Sequence, residues 1–274
     1  MVSADPGFGS ATPGQAEVKT LHPLHAHRLP PGESTAGPSN LRYRLGKLAD
    51  RGIIRGRWLD CGCADGGYTR GLARYGAEFV SGVEVLPERV DEARRQSAGL
   101  EGVEYVVGES ENLPFPDEHF DGVLLNEVLE HVSDERQTLR EIYRVLRPGG
   151  HLALFSPNRW FPFEGHGLLI RGWDIGFPVP WVPWLPESLT APYTVARNYW
   201  PHELHRLVVD AGFSIEAEAS VFPVLEKYPW LPQILIPVFR RAVPILERTP
   251  LLRRFGVSTL IIARRCNDDL ASSG

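Results

Sequence analysis

The sequence predicts an α/β fold built on a doubly wound, mostly parallel sheet. Three observations carry that expectation. Strand-length apolar runs alternate with helical segments of ten or more residues between about residues 41 and 156. The helices open and close on Pro and Gly. The first strand, RWLDC, runs directly into the small residues GCADGG ahead of the next helix.

Taken in order, LRYRLGKLADRG (41–52) places Leu41, Leu45 and Leu48 at helical spacing and stops at Gly52. Strand 57–61 follows, then a helix from Gly66 to about Tyr75, strand 78–84, and helix 87–98, whose Pro87 suits a first turn. Strands 103–108 and 120–126 precede helix 133–146, which Pro148-Gly149-Gly150 closes ahead of strand 151–156. Residues 157–200 are dense in Pro, Trp and Phe; helix 201–212 and strand 213–222 then restore the alternation. A further irregular block, about 223–256, precedes the apolar strand 257–265. This reads as one core domain, 39–265, with two insertions after its fifth and sixth strands and no internal repeat. Residues 1–38, rich in Gly, Pro, Ser and His, read as a disordered arm, and 266–274 as a flexible tail. His22, His25 and His27 fit a solvated arm better than a metal tract.

Composition narrows the function. With 43% hydrophobic and 23% charged residues and a net charge of −5, the chain resembles an ordinary globular protein, and no nucleic-acid partner is expected. Cys61, Cys63 and Cys266 are too few for a disulfide framework, which favours a reducing cytoplasm. MVSADPGFGS lacks the apolar core of a secretory signal, and no apolar run approaches the ~18 residues of a membrane span.

In an open α/β sheet the ligand lies beyond the carboxyl ends of the strands, so each end is a candidate site. At the first, Asp60, Gly62, Ala64 and Gly66 shape a tight turn, and the following helix amino terminus is expected to offer free N–H groups. At the second, Glu84 can accept both hydroxyls of a ribose. At the third, Glu109 can accept from an adenine amino group, and Ser110 can present its backbone N–H. The fourth ends at Asn126, followed by Glu127, Glu130 and His131 on a short turn. Together these indicate adenosine binding without a pyrophosphate.

DCGCADG, GVEVLPERVDEAR, GESENLPFPDEHFDGVLLNEVLEHV and LREIYRVLRPGGHLALFSPN, in this order over roughly residues 41–160, resemble the class I S-adenosylmethionine-dependent methyltransferases of the type 11-like group. VSTLIIARR resembles that family's last strand. The resemblance implies a Rossmann-like, seven-stranded mixed sheet with its last strand antiparallel. It implies S-adenosyl-L-methionine as cofactor and S-adenosyl-L-homocysteine as product. Asp60, Gly62 and the backbone at Ala64 and Gly66 then face the methionine part, and Glu84 holds the ribose with Val85 against the adenine. Glu109 and Ser110 read the adenine edge, and Asn126 lines the methionine side. Ala64 departs from the family's usual Gly, which reads as reduced room with binding retained.

The acceptor is less legible. O-methylation of a small-molecule, sugar or glycan, or natural-product hydroxyl is the leading expectation, with a lipid-linked acceptor as one form of it. Alternatives are N- or C-methylation of a small metabolite, or a non-catalytic cofactor-binding protein; a nicotinamide oxidoreductase fits poorly, because G-x-G-x-x-G is missing. His131, Glu164 and His166 are the candidate base and its helpers. Glu127, Glu130 and His131 match an E-x-x-E-H spacing similar to the metal site of ubiquinone-pathway O-methyltransferases, but no metal is expected. Trp160, Phe161 and Phe163 suit ring stacking or a small core of their own. Residues 230–255 interleave apolar residues with arginines, which fits a lid over the site or peripheral contact with the inner face of an anionic membrane.

Overall fold

A computed structural model describes residues 38–176, 179–223 and 235–266. Residues 1–37 of the expected arm, with its three histidines, and 267–274 of the expected tail lie outside the described residues, as does part of the second insertion; Pro38, expected in the arm, opens the first helix instead.

The elements follow the expected alternation: α1 Pro38–Ala49, β1 Arg57–Cys61, α2 Gly67–Arg74, β2 Phe79–Glu84, α3 Pro87–Gln96, β3 Val103–Val107, β4 Phe120–Asn126, α4 Glu135–Val145 and β5 Leu146–Pro157. The first insertion holds two antiparallel ribbons. One pairs β6 Phe163–Glu164 with β9 Val179–Pro180, the other β7 Leu168–Ile170 with β8 Trp173–Ile175. A short helix, α5 Glu187–Thr190, precedes α6 Pro201–Asp210 and β10 Phe213–Val221. The second insertion contributes α7 Leu235–Arg248 and a 3-10 turn Leu252–Phe255 before β11 Ser258–Arg265.

Seven strands form one sheet in the order β10-β11-β5-β4-β1-β2-β3. All its pairings are parallel except those of β11, which runs antiparallel to both β5 and β10. The order reverses between β1 and β4, and a crevice opens at such a switch point.

Both sheet faces are covered, so successive strand residues serve two cores. In β5, Leu152 and Leu154 pack toward α4 and α6, while Ala153 and Phe155 join the core beneath α1 and α2. β11 repeats this with Ile261 and Ala263 on one face and Leu260 and Ile262 on the other. Leu45 and Leu48 of α1 are wholly buried, as their helical spacing predicts.

Pro148-Gly149-Gly150 is a correction. Helix α4 already ends at Val145, because Leu146 is extended (ψ 140°), and residues 146–150 belong to β5. Arg147, preceding a proline, is biased to the same extended backbone. At the other end Asp134 caps α4 by accepting from the Gln137 N–H at 2.9 Å.

Candidate active site

Between β1 and α2 the backbone turns left-handed at Gly62 (φ +80°), Ala64 (φ +48°) and Gly66 (φ +78°). A Cβ at Gly62 would stand 2.4 Å from Val128 Cγ2, and one at Gly66 2.5 Å from the Tyr105 hydroxyl. Ala64 carries its Cβ in the left-handed region, at a cost of about 1 kcal/mol. A glycine is therefore favoured there for its backbone as well as for the room it leaves.

Five amide donors of the loop are already engaged, three by the end of β2 and two within the loop. Gly62 and Cys63 donate to the Val83 carbonyl (2.8 and 2.9 Å), Ala64 to Glu84 Oε2 (3.1 Å) and Gly66 to the Cys63 carbonyl (2.8 Å). Gly67 donates to Asp65 Oδ1 at 3.3 Å. Asp60 Oδ2 receives the Thr69 hydroxyl at 2.7 Å, and its carboxyl also takes the Thr69 backbone N–H. The expected free N–H groups at the start of α2 are thus corrected in part: Asp65 takes that of Gly67 and Asp60 that of Thr69. A turn with so many of its donors already engaged is poorly suited to phosphate and suits an adenosine ligand that brings none. Burial lifts the Asp60 carboxyl to about 7, against the lowering effect of the Thr69 hydrogen bonds.

Glu84 closes β2 and is 8% exposed. Its Oε1 accepts from Leu86 N–H at 3.2 Å and its Oε2 from Ala64, and each oxygen keeps acceptor capacity for a ribose hydroxyl. Val85 follows, half-buried, before α3. Glu109 pairs across a tight turn with Asn112, whose N–H it accepts at 3.2 Å. Ser110 Oγ accepts the Cys61 thiol at 3.3 Å, which ties the loop after β3 to the end of β1. Cys61 and Cys63 are buried, and burial pushes the Cys61 thiol up to about 12, so neither is poised as a nucleophile. Left-handed glycines, an acid at the end of β2 and acceptors at the end of β3 fit S-adenosylmethionine.

Asn126 ends β4, and its Oδ1 is held by Arg44 Nη1 at 2.7 Å. The same nitrogen lies 2.8 Å from Glu127 Oε1, and Arg44 Nη2 donates to Ser258 Oγ at 2.8 Å. Arg44 is 4% exposed, with its guanidinium 5.1 Å from the Phe155 ring centroid. Helix α1 is thereby pinned across β4 and β11. Sequence reading missed this residue; the available signal was a charge at position 44 on the inward stripe of Leu41, Leu45 and Leu48.

Glu127 begins the turn after β4 with φ +57°. Burial alone would raise its carboxyl, but Arg44 and the Ser258 hydroxyl hold it below the usual range. Glu130 is pushed well above that range, first by burial and then by the negative Glu127 beside it. Ser156 donates to Glu130 Oε2 at 3.2 Å.

The structure brings the three predicted catalytic residues together. Glu164, fully buried on β6, accepts from Asn198 Nδ2 at 2.7 Å and from the His166 N–H at 2.9 Å. His166 Nδ1 lies 3.4 Å from Glu164 Oε1, and its ring meets that of His131 edge-on, centroids 5.0 Å apart. Glu130, His131 and His166 each offer a ligand atom, all within 4.8 Å of one another, so this trio could hold a cation. Glu127, the first residue of the E-x-x-E-H spacing, is instead bound to Arg44 and Ser258. Trp160 packs on Trp200 and Phe255 and is committed to its own small core, while Phe161 and Phe163 lie 5.5 Å apart. Among the described residues no helix is long and apolar enough to cross a membrane.

Residues 59–154 match the family described as Methyltransferase domain. A ubiquinone biosynthesis O-methyltransferase of Parvibaculum lavamentivorans is 33% identical over 176 residues, 63% of this chain and 65% of that protein. A demethylmenaquinone methyltransferase of Symbiobacterium thermophilum is 32% identical over 153 residues, 49% of this chain and 58% of that protein. The S-adenosylmethionine-dependent methyltransferase structure from Mesorhizobium loti superposes with a TM-score of 0.56 at 21% identity, over 82% of this chain and all of that one. The chain spans about half the length of the curated relatives it matches. Sheet order and matched domain together define a class I methyltransferase, with S-adenosylmethionine as the family's cofactor. Residues 59–154 are the part of the chain that the Methyltransferase domain accounts for.

Proposed function

We propose that this chain methylates a hydroxyl of a small acceptor: a sugar or glycan, a natural product, or a lipid-linked form of either. The observation that supports it best is the contact between Val128 and Gly62. It sets the turn carrying Glu130 and His131 directly on the cofactor loop, while the insertion brings Glu164 and His166 to the same turn.

Asp60, Gly62, Ala64 and Gly66 shape the methionine side; Glu84, Val85, Glu109 and Ser110 hold the adenosine; Asn126, fixed by Arg44, borders the first group. The bound cofactor supplies an electrophilic methyl group on a sulfonium. His166 takes the acceptor hydroxyl proton at Nε2, because Nδ1 is turned to Glu164, whose buried carboxyl orients the ring. His131, edge-on to His166, positions the hydroxyl. The aromatic insertion covers the reacting atoms and excludes water. A membrane-facing acceptor agrees with the arginine-rich α7.

Labelled-methyl transfer into extracts of small metabolites, glycans and lipids, read by mass spectrometry, identifies the acceptor. In that assay His166→Ala is expected to lose ~10²-fold or more in turnover, with S-adenosylhomocysteine affinity within about twofold of the parent. Turnover within a few-fold of the parent would remove His166 from the role of base.

A further inference from the structure

Two segments far apart in sequence present exposed apolar residues at one border of the molecule. The first is α7 with the turn after it. Val238, Arg241, Ile245 and Arg248 recur at spacings of three and four residues and share one helix face. That face is open: Val238 is 60% exposed, Ile245 66% and Leu251, just beyond the helix, 64%. Arg241, Arg248, Arg253 and Arg254 are exposed as well. The single acid of α7, Glu247, turns inward to Lys47 (2.6 Å) and to the Tyr43 hydroxyl, so among the described residues the outer face of the helix is left positive.

The second is the turn at 181–185 in the first insertion, where Trp181 is 57%, Trp184 40% and Leu185 46% exposed. The two meet across Arg159, Trp160 and Trp200. Arg159 donates to the carbonyls of Pro183 and Leu185, both at 2.7 Å, and its guanidinium covers the Trp200 ring at 5.3 Å. Trp160 lies against Trp200, and on its other side meets Phe255 (6.2 Å) and the Arg254 guanidinium (6.0 Å).

We infer that this face docks on an anionic phospholipid bilayer. The chain as a whole carries −5, so bulk attraction to anionic lipid is excluded and any attraction must be local. Arginines spaced among exposed aliphatic residues meet headgroup phosphates while the aliphatic residues enter the acyl boundary. Tryptophan favours that same depth. An acidic protein partner would match the arginines as well, and it is the outcome that vesicle binding by the isolated chain separates from a lipid surface. The inference deepens the lipid-linked form of the proposed acceptor and rests on it only for its purpose. The surface itself stands on α7 and the 181–185 turn, and both segments abut the root of the insertion that carries Glu164 and His166.

The test is co-sedimentation of the full chain with vesicles of phosphatidylcholine alone and of phosphatidylcholine mixed with phosphatidylglycerol, with neither methyl donor nor acceptor present. Binding is expected only to the mixed vesicles, weakening as salt is raised. Arg241→Gln/Arg248→Gln/Arg253→Gln should lower the partition coefficient by roughly 100-fold, at about fivefold per arginine, and Ile245→Glu should lower it further. Retained S-adenosylhomocysteine binding in each variant shows that the fold is intact. Equal binding to both vesicle types, no binding by the parent chain, or full binding by the triple variant overturns the inference. So does a dimer that Ile245→Glu dissociates in the absence of vesicle binding. Vesicle binding without methyl transfer would instead count against the proposed reaction and leave the surface standing.

Discussion

Ala64 and Asp60 show what single residues contribute to this site. Ala64 holds the left-handed backbone that the loop needs between two glycines, and its N–H is the donor that fixes Glu84 Oε2. Glu84 in turn is expected to accept the ribose hydroxyls. Replacing it with Ala removes charge-assisted hydrogen bonds and should weaken S-adenosylhomocysteine binding by ~1–3 kcal/mol; titration calorimetry giving an unchanged affinity would refute that ribose placement. Asp60 adds a pH dependence. Its carboxyl is raised from 3.8 to about 7 in the folded chain, chiefly by burial. Between these values the folded protein keeps a proton that the unfolded chain has released, so this group's contribution to the stability of the free protein falls as pH rises toward 7. A ligand ammonium favours the carboxylate form and reverses the preference. Affinity for S-adenosylhomocysteine should therefore climb between about pH 6 and 8, by up to ~10-fold over that range, and Asp60→Asn should flatten the profile. A parent profile that is already flat would separate Asp60 from the ligand's amino group.

At the scale of elements, α1 is held over the sheet by one buried cation. Arg44 joins it to Asn126 at the end of β4, to Glu127 on the following turn and to Ser258 at the start of β11. Removing the cation leaves Glu127 in a largely buried position with its partner gone, a change that costs about 3 kcal/mol. Arg44→Met should lower the unfolding midpoint accordingly, and Arg44→Met/Glu127→Gln should recover most of the loss, because the uncompensated charge is then gone as well. Equal midpoints for the single and double variants would show that packing of the Arg44 stem on Phe155 matters more than its charge. The contact between Val128 and Gly62 works at the same scale, coupling the turn after β4 to the turn after β1.

For the whole molecule, ligand binding should appear as stability. A ligand that binds only the folded chain, supplied at about 100 times its dissociation constant, adds about 2.7 kcal/mol, roughly 5–10 °C for a domain of this size. S-adenosylhomocysteine should give that shift in a thermal melt and NAD should give none; the opposite pattern would exclude the adenosylmethionine reading of the crevice. Much of the architecture behind this prediction was legible in the chain itself. The alternation of strands and helices, the acids at the ends of β2 and β3, and the last apolar strand are local patterns, and their strand and helix periodicities register directly in sequence. Asp134 was less visible as a cap, and the extended start of β5 was hidden because Pro-Gly-Gly also punctuates loops. His131, Glu164 and His166 were legible as a candidate base and its helpers, but nothing in their spacing required His166 to face His131, since a long run of Pro-rich chain lies between them. Arg44 was not legible as a site residue at all: its partners come from β4 and β11, and such pairings exist only after folding. The sequence by itself determined the sheet, the order of its motifs and the kind of ligand its strand ends accept, because each depends on residues close together in the chain. Only the tertiary structure decided how the amide donors of the first loop are spent, which side chains of the first insertion meet the turn after β4, and which face of α7 stays open. Those depend on long-range packing, where the energy of a group is set by neighbours that the local sequence does not contain.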